Sequence, residues 1–218
     1  MSRIASIHRL FLVTLLSLAS ISGYAQDNIT YNYKNKFSFT LPSTLEVQLD
    51  DNVQLSYVSY SNGGKNASIS KTDVSDRVVW QQKGLNAPSS KQVFEKYCRV
   101  ITIYAETDPG DVPARYEEFS VDEEFWDEQL AEAEKEAKKV NLKIIKVLGF
   151  DVISVNGYPG YYFCYLRTGW KNAPPVVVYQ YMLFNHNELC QISFSYHQSE
   201  AQDWAKIKNQ IEKTFVFK

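Results

Sequence analysis

The 218-residue chain has little of what reactive sites are built from: three histidines, three cysteines and two methionines. No Gly-x-Ser-x-Gly elbow, His-Glu-x-x-His element or phosphate-cradling glycine-rich loop occurs in it. The cysteines (Cys98, Cys164, Cys190) are far apart and form no Cys-x-x-Cys pair, which argues against a zinc or thioredoxin-type site. An odd count cannot be fully paired within one chain, so one thiol is free or bridges two copies in a homodimer. Lys and Arg number 23 against 25 Asp and Glu, with no basic tract, so the electrostatic footprint of a nucleic-acid binder is missing.

Long apolar runs are also missing, with one exception. Arg3 and Arg9 precede "LFLVTLLSLA" (residues 10–19), and Gly23-Tyr24-Ala25 places small residues at −3 and −1 of a cut before Gln26. Basic start, short apolar centre and small-residue site together read as a secretory signal peptide over 1–25. The run is about half the ~20 residues that span a bilayer. Cleavage removes both arginines and leaves a mildly acidic chain, 26–218, of a size that fits one domain with a sizeable core. The expected location is periplasmic or secreted, with no membrane insertion after cleavage. Two glycosylation sequons by form, at Asn28 and Asn66, matter only in a eukaryotic secretory route.

What is abundant is strand-forming sequence. "ITYNYKNKFSFTLPSTLEVQL" alternates apolar and polar residues around Pro42, and Asn62-Gly63-Gly64 supplies the positive φ angles of a hairpin turn. "RVVWQQKGL" and "KYCRVITIYAET" read as further strands. The period then changes. From Ser120 to Val140, apolar residues Val121, Phe125, Trp126, Leu130, Ala133, Ala137 and Val140 recur by threes and fours, which predicts a helix. Ser120 with Glu123 matches a capping box, and acids lead while Lys138 and Lys139 trail, as the helix dipole favours. A second helix is expected from Ser199, with Gln202 in the capping-box position, Trp204, Ile207 and Ile211 on one face, and "TFVF" after it as a short strand.

Between the helices lie "LKIIKVLGFDVISV", "YYFCYLRT", "VVVYQYMLF" and "LCQISFSY". In "YYFCYL" both faces are apolar: Tyr161, Phe163 and Tyr165 against Tyr162, Cys164 and Leu166. A sheet with one wet face would alternate cleanly, so these strands are expected to be covered on both sides.

"KFSFTLPSTLEV", "VISVNGYPGYYFCYL", "VVVYQYMLFNHNELCQISFSY" and "SEAQDWAKIKNQIEKTFVF", in that order, resemble the PsbP-like superfamily. It includes a lumenal subunit of the oxygen-evolving complex, a nuclear import factor that binds the GTPase Ran, and many small exported bacterial proteins. The resemblance spans about two-thirds of the chain after residue 25 and rests on structural motifs. It implies an α+β fold, a three-layer α/β/α sandwich with a central, mostly antiparallel sheet. It also implies a non-catalytic binding or assembly-accessory role, with no cofactor and an unidentified protein or small-molecule partner. No binding motif of a member transfers residue by residue.

Candidate sites follow from the residues themselves. A Cys–His pair is disfavoured, because Cys164 and Cys190 sit mid-strand among aromatics, where burial raises a thiol pKa. The acidic run Glu117 to Glu128 is either a cation or basic-partner surface or the solvated start of a helix. Dipole stabilisation and the lack of EF-hand spacing favour the helix start. A secreted hydrolase using carboxylates or a bound metal is the alternative reading, though no pair stands out. Trp170, in the proline-ended loop "TGWKNAPP", is the foremost candidate binding residue, unless it folds back to cap the sheet. Tyr158 beside the Asn156-Gly157 turn, expected at the same end, and His186 at the tip of "FNHNEL" complete the set.

Overall fold

The computed structural model describes residues 27–50, 52–59, 64–71, 76–87, 97–108 and 121–218. The expected signal peptide, the Asn62-Gly63 turn and Ser120 lie outside them. Alternating apolar residues produce two sheets. β1 (Asn28–Tyr33), β2 (Phe37–Pro42), β4 (Val53–Ser59), β5 (Lys65–Lys71) and β12 (Val216–Phe217) form a five-stranded sheet ordered β12-β2-β1-β5-β4. β3 (Leu45–Val47), β6 (Arg77–Gln82), β7 (Cys98–Glu106), β8 (Ile144–Val155), β9 (Tyr158–Arg167), β10 (Val176–Asn185) and β11 (Glu188–His197) form a seven-stranded one, ordered β3-β6-β7-β11-β10-β9-β8. Among the described residues only β1 and β5 pair in parallel; every other pairing is antiparallel. The chain is therefore α+β and mostly antiparallel, as expected.

The layering is richer than a single sheet between helices. The inner face of the large sheet presents Trp80, Val100, Ile192 and Phe194, all buried, to the small sheet. Trp80 meets Tyr31 edge-on at 5.6 Å and Phe39 at 4.9 Å, and Phe37 stacks on Tyr104 at 6.4 Å. The C-terminal helix, α2 (Ala201–Thr214), inserts Trp204, Ile207 and Ile211 into the same core beside β2 and β11. It starts two residues later than the sequence suggests. A 3-10 turn occupies Gln198–Glu200, and no side chain caps the helix. The other helix, α1 (Glu123–Lys139), lies on the outer face. Asp122 rather than Ser120 caps it, its Oδ1 accepting from the Phe125 amide at 2.9 Å.

The two-sided strand is as read: Tyr161, Phe163, Cys164 and Leu166 of β9 are all buried. The β8–β9 connection turns on Asn156 and Gly157, with φ of 51° and 86°, as a tight hairpin turn requires. β8 is an edge strand, and its register with β9 shifts between Ile144 and Lys146 and again between Val147 and Gly149. Ile145 and Leu148 are the extra residues of these bulges, and both are exposed.

Candidate binding groove

α1 is amphipathic by pattern but shallowly seated. Ala137 is its only buried residue, while Phe125, Trp126, Leu130 and Ala133 are half-buried. Its first turns are pinned by aromatic contacts: Phe125 edge-on to Tyr161 at 5.0 Å, and Trp126 against Phe150 at 4.6 Å. Beyond that clamp the helix stands off the sheet and leaves a cleft of about 440 Å³.

The cleft floor comes from two cross-strand rows. One runs Phe163–Gln180 from β9 to β10; the next runs Tyr161–Met182–Gln191–Ile103 from β9 to β7. Tyr165 extends the floor, and Gln129 and Ala133 of the helix form its wall. The Tyr161 hydroxyl donates to Gln129 Oε1 at 3.4 Å. Burial pushes its pKa up to about 12, so it is a neutral donor at physiological pH. Glu132 and Glu136, on the helix rim, pair with Lys135 and Lys139. A flat apolar floor thus carries uncharged amides and hydroxyls, and the wall charges are paired. Such a lining suits a flat, amphipathic, uncharged group.

The three candidates from the sequence do not converge here. Tyr158 packs edge-on against Phe217 at 4.9 Å and Phe215 at 6.1 Å, bracing the C-terminal strand. His186 is exposed at the β10–β11 tip with φ 55°. These two share one end of the large sheet. Trp170 does not: it lies in the β9–β10 connection, at the far end of strands ten residues long, roughly 30 Å away. It is 52% exposed, with the Lys171 ammonium 4.2 Å from its ring centroid.

The groove residues escaped sequence reasoning, although one signal was present. Gln180 interrupts the apolar set Val176, Val178, Met182 and Phe184 on a single strand face. A lone amide in such a row marks a floor that is not fully covered.

All three cysteines are free and buried. Burial pushes the Cys164 thiol up to about 11, partly offset by a Tyr179 hydrogen bond and by Lys208, and raises Cys98 and Cys190 further. Thiol titration with an aromatic disulfide at pH 8 should find none of the three in the native protein and all three after denaturation. Non-reducing electrophoresis should show a monomer; a covalent dimer would mean that a strand opens. Among the described residues no group of three or more His, Cys, Asp or Glu is arranged to hold a metal ion. No helix among them is long and apolar enough to cross a membrane.

Two mostly antiparallel sheets, a shallowly seated outer helix and a C-terminal helix with its short strand define a PsbP-like fold. The cyanobacterial PsbP (CyanoP) of Synechocystis sp. PCC 6803 superposes with a TM-score of 0.54 at 12% identity, covering 93% of this chain and 99% of that one. The Ran-binding protein Mog1p of Saccharomyces cerevisiae gives 0.42 at 11% identity over 83% of this chain and 89% of its own. LpqN of Mycobacterium tuberculosis, described as involved in cell envelope biogenesis, gives 0.38 at 11% identity over 79% and 91%. No protein-family model matches the sequence, and no curated protein matches it by sequence comparison.

Proposed function

We propose that this chain is exported and acts without catalysis, as a binding or assembly-accessory protein that seats an uncharged, amphipathic group beneath α1. The group is a short peptide segment of a partner or a small molecule with a flat apolar part. One observation carries the reading: a floor that keeps Tyr165, Met182 and Gln191 half-buried and Ile103 exposed lies under a helix that buries only Ala137. Burying that floor under a ligand gains about 25 cal/mol for each Å² of apolar surface removed from water. The neutral hydroxyls and amides would fix orientation.

Filling the groove tests this. Ala133 is half-buried on the helix wall, and alanine to tryptophan there keeps a helix-compatible residue while occupying the cleft. Ala133→Trp should melt within a few degrees of the wild type and lose the proteins or small molecules that co-purify from the native envelope fraction, read by mass spectrometry. Retention of the same set by a folded Ala133→Trp protein would sink the groove assignment.

A further inference from the structure

We propose that the end of the large sheet bearing Trp170 is a docking tip for an anionic lipid surface. Two connections meet there: residues 140–143, after α1, and residues 168–175, between β9 and β10. The Thr168 amide donates to the Lys143 carbonyl at 2.9 Å, and the Lys143 amide donates to Thr168 Oγ1 at 3.0 Å. Three large apolar side chains project from this junction: Trp170 (52% exposed), Val140 (54%) and Ile145 (49%). Ile145 is there because a bulge turns it out of the β8 ladder.

Around them stand Lys138, Lys139, Lys143, Lys146 and Lys171. Of these five, only Lys139 pairs with a carboxylate among the described residues, Glu136. The Lys171 ammonium lies 4.2 Å from the Trp170 ring centroid, so cation and indole form one unit. Glu123, Glu124, Asp127 and Glu128 occupy the opposite end of α1. The chain is net acidic, at −2, so an anionic surface repels most of it and attracts this end. Charge complementarity therefore selects both partner and orientation.

The tip is built to hold its shape. A Cβ on Gly169 would lie 2.2 Å from the Ala173 carbonyl oxygen, so only glycine permits the turn. Lys171 and Asn172 follow with φ of 50° and 64°, and the Gln198 amide ties down the Pro175 carbonyl at 2.9 Å. Trp170 is thus presented by a fixed loop, with no ordering cost left for docking. Three apolar side chains at a tip are few for a protein interface, which takes about 20–30 residues a side. They suit a bilayer: indole and aliphatic groups sink to the headgroup level, and lysines reach up to lipid phosphates.

Co-sedimentation with vesicles tests the tip, using the chain from Gln26 onward, which holds every core residue. Binding to vesicles with about one-third phosphatidylglycerol should exceed binding to pure phosphatidylcholine by more than about tenfold, and half-molar salt should weaken it. Trp170→Ala should weaken it several-fold, and Lys143→Glu with Lys171→Glu should abolish it. All three side chains are exposed, and unchanged circular dichroism checks that the variants fold. Glycerol phosphate in excess should not compete. Competition by it would reduce the tip to a phosphate site and overturn the proposal. Equal binding to both lipids, or full binding by the double variant, would also overturn it. Ala133→Trp should leave lipid binding intact, which separates this result from the fate of the groove.

Discussion

Phe39→Ala should cost about 3–5 kcal/mol, the range for deleting a fully buried phenylalanine whose site cannot collapse. Phe39 is 0% exposed and sits at the seam between the sheets, 4.9 Å from Trp80 and 6.0 Å from Phe37. Its neighbours belong to two different sheets, each fixed by its own ladder, so neither can move in to fill the space. Domains of this kind hold only about 5–15 kcal/mol in total, so the variant should be near the edge of folding. In urea the midpoint should fall sharply while the slope stays constant. Phe150→Ala is the contrast: Phe150 is 47% exposed on the edge strand, and the change should cost under about 1 kcal/mol. Equal midpoints for the two variants would mean that the sheets do not pack through Phe39.

That seam shows how far the sequence can be read. Strand and helix positions follow from local pattern. β2 appears as "KFSFTLP", α1 from its three-and-four spacing, and the β8–β9 turn from Asn156-Gly157, because each signal lies within a few residues. The division into two sheets does not follow. β1 pairs in parallel with β5 although three strands separate them in the chain, one of them, β3, in the other sheet, and nothing within β1 encodes that partner. A strand with two apolar faces requires cover on both sides. Whether the cover is a helix or a second sheet is decided by residues far off in the chain.

The site divides in the same way. Trp170 stood out because a polar loop has no local use for an indole, and the fold leaves it exposed. Tyr158 carried a similar signal and proved to be a brace for Phe217. An aromatic next to a turn looks the same in sequence whether its ring points outward or under a neighbouring strand. The groove was hardest to see. Its floor is drawn from four strands and its wall from a helix more than 30 positions from most of the floor. Only register brings Tyr161, Met182, Gln191 and Ile103 into one row.

The same burial that fills the core makes alkali the condition to which this fold should be most sensitive. Cys98, Cys164 and Cys190, with Tyr31, Tyr161 and Tyr181, all have pKa values raised chiefly by burial. Cys164 reaches about 11 and Tyr161 about 12; the others are displaced upward as well. Each group is neutral when protonated, so the fold favours the protonated form and the unfolded chain releases the proton first. Below the ordinary thiol value near 9, both states keep these protons and stability is flat with pH. Above it the unfolded chain ionises while the folded one does not. Each group then removes about 1.4 kcal/mol of stability per pH unit until its folded value is passed. By pH 11 the three thiols and three tyrosines together withdraw roughly 12 kcal/mol at most, comparable with the whole stability of a domain.

Unfolding should therefore arrive as one cooperative step between about pH 10 and 12. Tyrosinate absorbance and loss of the circular dichroism signal should rise together, because most of the buried hydroxyls ionise only once the sheets separate. Salt offers a decisive control. A desolvation penalty is not screened by ions, whereas repulsion between surface charges is, so raising salt should leave the midpoint almost where it was. A broad tyrosine titration centred near 10 under an unchanged dichroism signal would show that water reaches these rings, and the two-sheet core would then need redrawing.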